Sequence, residues 1–484
     1  MRVFQFFLIL MAVWSVPLSA QNRDVKVDDV IDRLTAAYGG EALRDMSSAS
    51  ISSDRRLGWL GQGQTARFIE YESDNLRKHF DLKNERGSVE RWTFQNGNVY
   101  HNRYVVTGQT ATNIDYMSMT QSPSENGGFW QWYSGDFRSS DTLLAYRLAT
   151  SSIEVNYAGE AFYRGRMHDK LTFSIIPDSL AVTVFVARGD GLIRRATMER
   201  EIGAVNFIFA SHRKKDGITY ASESQIYVDD VMTEYEWGVS FVPNADLSSV
   251  LQVEPELSAA PEMVDHSELT VDALSANVFM VGREDYALFA IDGQSVIAVG
   301  LHAGLKERYD ALLEHLGRRL PLSAVIATHH HSDHLNAVQD VVDLRTKLYL
   351  TNEAMTALAT LRDDTAKIDT QILRPEDTVG PFSIFVRPTA HSVENAFVYH
   401  AEAKVLFQDD HYHGLIVDRA SRVQPSAMQM FRIISDLGLE VSALASGHAR
   451  KTDSWDDFVA AAERPEAGAL CPSRRDICME FTDQ

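Results

Sequence analysis

The segment His329–His334 follows directly on an apolar run, and it constrains the fold more than any other feature of this chain. Its letters, HHHSDH, place four imidazoles and one carboxylate within six residues. The preceding run, Leu322–Ala327, has the pattern of a buried strand, and the pattern of Leu335–Val342 predicts a helix after it. Because open α/β sheets place their ligands at the carboxyl ends of strands, the sequence predicts a binding site at this strand end.

The spacing of these side chains predicts a site for two metal ions. His329 and His331 stand two positions apart on an extended loop and can both face one ion, since zinc prefers imidazole nitrogen and carboxylate oxygen. Asp333 and His334 are expected to begin the next helix and to point towards a second ion, about 3.5–4 Å away in two-metal enzymes. His330 is expected to face into packing, and we leave it out of the ligand set.

Further candidate ligands follow three later predicted strands. His391, Asp410 and His448 each come shortly after a short apolar run. The three runs are Phe385–Arg387, Val405–Phe407 and Ala443–Ala445. Each of the three side chains could therefore reach the same sheet edge as the first motif.

The order of these motifs resembles that of the metallo-β-lactamase-fold hydrolases, over about residues 265–465. The matching motifs are His329-x-His331-x-Asp333-His334, Thr389-Ala390-His391-Ser392, Leu406-Phe407-Gln408-Asp409-Asp410 and Ser446-Gly447-His448. The resemblance implies an αβ/βα sandwich. It also implies a first metal site of His329, His331 and His391, a second of Asp333, His334 and His448, and Asp410 bridging the two ions.

Two positions depart from the pattern of that family. The residue before the bridging aspartate is usually glycine, and here it is Asp409, which could compete as a ligand or hydrogen-bond a histidine. Strand register favours Asp410 over Asp409 as the bridging residue. An early strand of that family often ends in an aspartate and a glycine. The corresponding segment here is Ser295–His302, so the resemblance does not predict the neighbouring pocket wall.

The two predicted metal ions imply a hydrolase. A hydroxide that bridges two Zn²⁺ ions would form near neutral pH, since the pKa of the bound water falls to about 7, and it would attack a carbonyl or phosphoryl centre. Asp333 and Asp410 are the predicted catalytic residues, and Asp333 could pass a proton to the leaving group. Aspartate at 410 resembles the thioesterase, lactonase and phosphodiesterase branches of the family, so we predict cleavage of an ester, thioester or lactone. His411 and His413 either line the substrate pocket or lie exposed on a loop.

The half of the chain before these motifs has a different pattern. Residues 27–37 repeat apolar side chains at helical spacing and stop at Gly39-Gly40. From about residue 50 to 242 apolar residues alternate, and Asn96-Gly97 between two such runs predicts a hairpin. Together with residues 36–43, this pattern weakly resembles the periplasmic lipoprotein-carrier fold, in which a curved half-barrel sheet wraps a helix. Such a domain would hold hydrophobic substrates or merely pack on the catalytic half.

Composition and pattern divide the chain into four segments. Residues 1–20, with Arg2 before an apolar run and Leu18-Ser19-Ala20 at its end, indicate a secretory signal peptide, the alternative being an uncleaved amphipathic anchor. Residues 21–252 are the antiparallel β-rich domain, 253–266 a linker with two prolines, and 267–484 a catalytic domain of alternating strands and helices. We therefore predict a mixed α+β protein that is secreted, into the periplasm, without an integral membrane span after signal cleavage.

Charge and cysteine content bear on partners and compartment. The formal net charge is −21, from 46 basic and 67 acidic residues, which disfavours nucleic acid and anionic membranes as partners. The expected partner is a small substrate, with hydrophobic character if the carrier resemblance holds. The two cysteines, Cys471 and Cys478, are expected to form a disulfide rather than to remain free or to bind zinc. The sequence leaves the oligomeric state open.

Two alternatives to a dinuclear zinc hydrolase keep the same fold. Iron at His329, His331, His391 or Asp410 could support oxidation, as in persulfide dioxygenases of similar motif. In the other alternative the chain carries a hydrophobic ligand and its metal site is structural, with closed zinc coordination.

Overall fold

The computed structural model describes residues 25–124, 127–177, 179–200, 203–471 and 477. These residues form three sheets, of 14, seven and six strands, together with nine α-helices. The predicted mixed α and β architecture is therefore confirmed. The predicted signal peptide and Cys478 lie outside the described residues, whereas Cys471 is disulfide-bonded.

The N-terminal half forms the 14-stranded sheet. Its strands are β1 (Ser48–Gly58), β2 (Glu70–Asp81), β3 (Arg86–Gln95), β4 (Asn98–Thr107), β5 (Thr110–Asp115), β6 (Thr120–Ser124), β7 (Val155–Tyr163), β8 (Arg166–Phe173), β9 (Val182–Ala187), β10 (Ile193–Arg200), β11 (Gly203–Lys215), β12 (Ile218–Val228), β13 (Val231–Pro243) and β14 (Ser258–Ala259). They lie in the order β14-β6-β5-β4-β3-β2-β1-β13-β12-β11-β10-β9-β8-β7. The short β14 pairs parallel to β6, and the other neighbours are antiparallel. The predicted antiparallel half is confirmed as a sheet, and its half-barrel curvature stays a prediction.

Four helices pack their apolar faces against this sheet. They are α1 (Val25–Tyr38), α2 (Glu41–Arg44), α3 (Phe129–Arg138) and α4 (Asp141–Thr150). The predicted first helix is confirmed, and it ends where Gly39 and Gly40 take φ values of +132° and +62°. Glycine adopts this half of the backbone map readily, so the pair stops the helix.

The predicted hairpin is also confirmed. Asn96 (φ +49°) and Gly97 (φ +81°) form a two-residue turn between β3 and β4. Two positive φ values in succession match the right-handed twist of the flanking strands, and asparagine followed by glycine supplies them at little cost. This turn lies against the C-terminal half, where a Cβ atom on Gly97 would come 2.8 Å from the Cβ atom of Ala390.

The C-terminal half contains the two smaller sheets. The seven-stranded sheet has β15 (Thr270–Ala273), β16 (Val278–Arg283), β17 (Asp285–Asp292), β18 (Ser295–Val299), β19 (Leu322–Ile326), β20 (Lys347–Leu350) and β21 (Thr370–Ile372) in sequence order. The six-stranded sheet has β22 (Glu376–Val379), β23 (Phe382–Arg387), β24 (Asn395–His400), β25 (Val405–Phe407), β26 (Ala443–Ser446) and β27 (Ala449–Ser454), also in order. The helices are α5 (Leu305–Leu316), α6 (Val338–Leu344), α7 (Asn352–Leu361), α8 (Pro425–Leu437) and α9 (Trp455–Ala462).

These elements stack as helix, sheet, sheet and helix. Ile297 and Ile326 of the seven-stranded sheet share one buried core with Val398 and Phe407 of the six-stranded sheet. Helices α5, α6 and α7 pack on the outer face of the first of these sheets, and α8 and α9 on the outer face of the second. Because both faces of each sheet are covered at its centre, central strands such as β17, β18, β24 and β25 are buried along almost their whole length.

The segment predicted as a linker contacts both halves. Residues 258–259 form β14 beside β6, and Met263 makes an isolated β-bridge to Ile416. How the chain divides into domains stays a prediction. None of the helices in the described part of the chain is long and apolar enough to cross a membrane.

Candidate metal centre

The seven side chains predicted as ligands lie together at one edge of the two facing sheets. They are His329, His331, Asp333, His334, His391, Asp410 and His448. The first two follow β19, and the next two lie on a 3₁₀ turn, Ser332–Leu335. We expected Asp333 and His334 to begin the next helix, and this was wrong, because α6 starts only at Val338.

Three histidines and Asp410 form the first group. The Nε2 atoms of His329 and His391 are 3.0 Å apart. Asp410 Oδ2 lies 2.9 Å from His391 Nε2 and 3.4 Å from His329 Nε2. With His331, the four side chains each offer one donor atom within 4.8 Å of the others. Imidazole nitrogens and a carboxylate that converge in this way are a typical donor set for zinc.

The second group lies on the other side of Asp410. His334 Nε2 is 2.9 Å from Asp410 Oδ2, and His448 Nε2 is 3.1 Å from Asp410 Oδ1. Asp333 Oδ2 lies 3.3 Å from His334 Nε2 and 3.7 Å from His448 Nε2. Asp410 therefore contacts histidines of both groups, the position expected of a residue that bridges two ions.

Asp409 lies behind these histidines and is fully buried. Its Oδ2 atom accepts hydrogen bonds from Thr328 Oγ1 at 2.6 Å and from His334 Nδ1 at 2.9 Å. Its Oδ1 atom is 3.0 Å from His302 Nε2. A Cβ atom on Gly447 would come 1.8 Å from Asp409 Oδ1, so only glycine at 447 leaves room for this carboxylate.

His334 belongs to two overlapping donor groups, because its nitrogens point in opposite directions. The donors of His302, His334, Asp409 and His448 also lie within 4.8 Å of one another. Both oxygens of Asp409 already have partners inside the protein, however. The side chain of Asp333 is 41% exposed and that of His448 is 30% exposed. His334 itself is fully buried, and its Nε2 atom faces the two partly exposed side chains, Asp333 and His448.

Each of the five histidines has an oxygen next to its outward ring nitrogen. The five pairs, with their distances, are His329 Nδ1 and Thr328 Oγ1 (3.1 Å), His331 Nε2 and Gly63 O (3.1 Å), His334 Nδ1 and Asp409 Oδ2 (2.9 Å), His391 Nδ1 and Asn96 O (3.3 Å), and His448 Nδ1 and Asp285 Oδ1 (2.9 Å). Carbonyl and carboxylate oxygens only accept, and the Thr328 hydroxyl donates its proton to Asp409 Oδ2, so all five outward nitrogens donate and the inward nitrogens are left for a metal. Metal-binding histidines are held by such outer partners. The residues present therefore fit a metal.

Burial and the neighbouring charges set the protonation of the centre. Burial and then the charge of His334 lower the pKa of His329 to about 3. Burial also lowers the pKa of His334, but the three aspartates around it raise that pKa by more, to well above its usual value. Burial opposes ionisation of Asp410, yet the surrounding histidines hold its pKa well below the usual range. The carboxylates stay ionised, and a bound cation would compete with protons for the inward nitrogens.

Three other histidines lie beside the centre. His330 is buried and has its Nε2 atom 2.8 Å from Gly63 O, which agrees with leaving it out of the ligand set. His411 is 2% exposed, so it does not lie exposed on a loop, and its ring centroid is 5.6 Å from that of His391. His413 is half-buried, with its ring centroid 5.7 Å from that of His448. Their contact with substrate stays a prediction.

The sequence motifs did not reveal the contacts that the N-terminal half makes with the centre. Gln62 Nε2 donates to Asp333 Oδ1 at 2.7 Å, and the carbonyls of Gly63 and Asn96 lie against His331 and His391. Gln62 and Gly63 belong to none of the motifs, and the sequence predicted Asn96 only as a residue of the hairpin turn.

No protein-family model matches this chain, and the comparison with curated proteins found no match. The solved structures similar to it include the DIM-1 metallo-β-lactamase, 18% identical over 41% of this chain and 96% of that chain, with a TM-score of 0.33. TMB-1 is 16% identical over 40% of this chain and 94% of that chain, with a TM-score of 0.33. A metallo-β-lactamase from Hirschia baltica is 15% identical over 40% of this chain and 96% of that chain, with a TM-score of 0.32. The similar solved structures are metallo-β-lactamases, the family that the motifs of this chain resemble.

Proposed function

We propose that this chain is a metal-dependent hydrolase that binds two zinc ions. The observation that carries the proposal is the convergence of five inward imidazole nitrogens on Asp410 and Asp333, with each outward nitrogen already paired. His329, His331, His391 and Asp410 would hold one ion, and Asp333, His334, His448 and Asp410 the other.

The chain's own residues would position the reactants and move a proton. Bound zinc would supply Lewis-acid polarisation of an acyl oxygen and of a water molecule. Asp410 contacts both groups and would hold them in one arrangement. Asp333 has the most exposed side chain of the seven predicted ligands, at 41%, and we assign it the transfer of a proton to the leaving group. The exposure of Asp333 and His448 favours a catalytic site with an open position over a closed structural site.

We propose an ester, thioester or lactone with an apolar part as the substrate. A cleft of about 260 Å³ lies between the large sheet and Ala390, the residue before His391. Phe68, Tyr71 and Phe94 line it together with Glu70 and Glu72, and Phe68 and Phe94 are 52% and 39% exposed. Exposed aromatic rings beside a reactive centre support the binding of an apolar group.

We propose further that the protein is secreted. The apolar segment of residues 1–20, with small residues at its end, supports this proposal. The disulfide at Cys471 supports an oxidising compartment such as the periplasm.

Metal analysis of the purified mature protein tests the proposed function. We expect two zinc ions per chain in the wild type, and loss of at least one in Asp410→Ala, because that carboxylate contacts both groups. Turnover of a panel of esters, thioesters, lactones and phosphodiesters should fall together with the metal. Asp418→Ala, an exposed position eight residues further on, is the matched control and should behave as wild type. Zinc that survives Asp410→Ala without any turnover would contradict the proposal.

Metal analysis of the same samples also distinguishes the iron-dependent alternative from a zinc hydrolase. The first group combines histidines with one carboxylate, a donor set that also suits non-haem iron. Iron in the purified protein, together with oxygen uptake on a thiol or persulfide substrate, would favour oxidation over hydrolysis.

A further inference from the structure

We propose that the N-terminal half is a structural part of the metal centre. The loop between β1 and β2 and the turn between β3 and β4 act as positioning elements for three of its side chains, Asp333, His331 and His391. This inference rests on the proposed function, because it concerns the ligands assigned there.

The β1–β2 loop, residues 59–69, is attached to the C-terminal half at several points. Gly61 O accepts a hydrogen bond from Ser332 N at 2.9 Å, and Gln64 O accepts one from Val393 N at 3.0 Å. Ala66 N donates to Glu353 Oε2 at 2.9 Å, and the Ala66 side chain belongs to the same buried core as α5, α6 and α7. The loop therefore packs as part of the C-terminal half although it belongs to the N-terminal sheet.

The carbonyl group of Gly63 orients the HHHSDH segment. It lies 3.1 Å from His331 Nε2 and 2.8 Å from His330 Nε2. Because a carbonyl oxygen only accepts, both Nε2 atoms must donate, and His331 is left with Nδ1 for the first metal group. A Cβ atom on Gly63 would lie 1.9 Å from Phe68 O, so any larger residue would displace this carbonyl.

Gln62 orients the carboxylate of Asp333. Its Nε2 atom donates to Asp333 Oδ1 at 2.7 Å and to Ser332 Oγ at 3.1 Å. The other carboxylate oxygen, Oδ2, then faces His334 and His448. The side-chain amide thus decides which oxygen of Asp333 faces the second group.

The β3–β4 turn orients His391. Asn96 O lies 3.3 Å from His391 Nδ1, which leaves Nε2 directed at Asp410. The Gly97 backbone lies close enough to Ala390 that a side chain at 97 would separate the two segments. Two of the five outward histidine nitrogens, and one oxygen of Asp333, are therefore held by the N-terminal half. Loss of such outer partners typically lowers metal affinity roughly 10- to 100-fold.

Gln62→Met tests this role, since methionine keeps the length of the side chain and removes its N–H donors. We expect zinc affinity, measured in the full-length protein by competition with a chromophoric chelator, to fall roughly 10- to 100-fold at one of the two sites. The visible spectrum of the cobalt(II)-substituted protein should change as well, because it reports ligand geometry. Gln64→Met is the matched control: Gln64 is exposed, and its amide donates to the Thr389 carbonyl, at 3.4 Å, rather than to a predicted ligand.

Gly63→Ala provides a second variant. We expect it to change the cobalt spectrum of the first group, because displacement of the Gly63 carbonyl frees the ring of His331. If this variant does not fold, Gln62→Met still decides the question. Wild-type protein that binds two zinc ions, with Gln62→Met and Gln64→Met indistinguishable in affinity and spectrum, would overturn this inference and leave the proposed function standing. Wild-type protein that binds no metal would overturn both.

Discussion

Asp409 combines an unfavourable backbone conformation with favourable hydrogen bonds of its side chain. Its φ of +60° lies in the left-handed region, which disfavours most residues by about 1–2 kcal/mol and favours glycine. Its carboxylate nevertheless contacts Thr328, His334 and His302, and hydrogen bonds to a charged group contribute about 1.5–3 kcal/mol each. These hydrogen bonds oppose both the backbone strain and the cost of burying the carboxylate. At a position that is usually glycine in the family that these motifs resemble, this chain has a buried acceptor for the outward nitrogen of His334.

Asp409→Asn tests this assignment. Asparagine tolerates the left-handed backbone, but its NH₂ group would face at least one of the three donors. We expect the chain to remain folded and zinc affinity in the group that contains His334 to fall roughly 10- to 100-fold. The measurement is zinc content after dialysis against a graded series of chelator concentrations. Asp230→Asn, an exposed position with a φ of +67°, is the control, and equal affinity in the two variants would show that Asp409 does not position His334.

At the scale of elements, one buried carboxylate joins the helices of the N-terminal half to their sheet. Tyr38, at the end of α1, donates to Asp141 Oδ2 at 2.6 Å and accepts from Ile193 N of β10 at 3.2 Å. Asp141, at the start of α4, also accepts from Ala221 N of β12 at 3.1 Å. Burial and the charge of Asp141 raise the pKa of Tyr38 well above its usual value, so the hydroxyl keeps its proton.

Tyr38→Phe should destabilise the protein by about 1–3 kcal/mol, because it leaves a buried carboxylate oxygen and a buried N–H group with one partner fewer. The free energy of unfolding in urea measures this. Tyr227→Phe is the control, since the Tyr227 hydroxyl donates to Gln225 on a half-buried part of β12, and it should cost less than about 0.5 kcal/mol. Equal losses in the two variants would contradict a special role for the Tyr38–Asp141 pair.

Local patterns predicted several elements, and the order of the histidine and aspartate motifs predicted that their side chains lie together, but the contacts between the two halves of the chain were not predicted. The α1 stop, the Asn96-Gly97 turn and the strand before HHHSDH each depend on neighbouring residues, so the sequence predicted them. The 3₁₀ turn at Ser332–Leu335 was missed, since a helix and a 3₁₀ turn share the same short apolar spacing. Gln62 reaches Asp333 across 271 positions, and no local periodicity reports such a pair.

At the scale of the whole molecule, the metal centre and the large sheet share one loop. The loop of residues 59–69 follows β1 and reaches the HHHSDH segment. Strand β1 is the seventh of the 14 strands in the sheet and lies between β2 and β13. The β14 pairing and the Met263–Ile416 bridge join the halves at further places. A ligand that binds only the folded centre stabilises every segment that must be ordered for binding. Order in the loop of the N-terminal sheet is therefore expected to depend on the metal.

Hydrogen exchange with and without zinc measures this coupling. In the zinc-loaded protein we expect amides of residues 59–69 and of the 96–97 turn to exchange at least about tenfold more slowly than after chelation, because local opening then requires release of the metal. The Arg164-Gly165 turn joins β7 to β8 at the far edge of the same sheet, and its exchange should be unchanged. If the loop and the distant turn respond alike, zinc stabilises the fold in general. If the loop does not respond, the N-terminal half merely packs beside the centre.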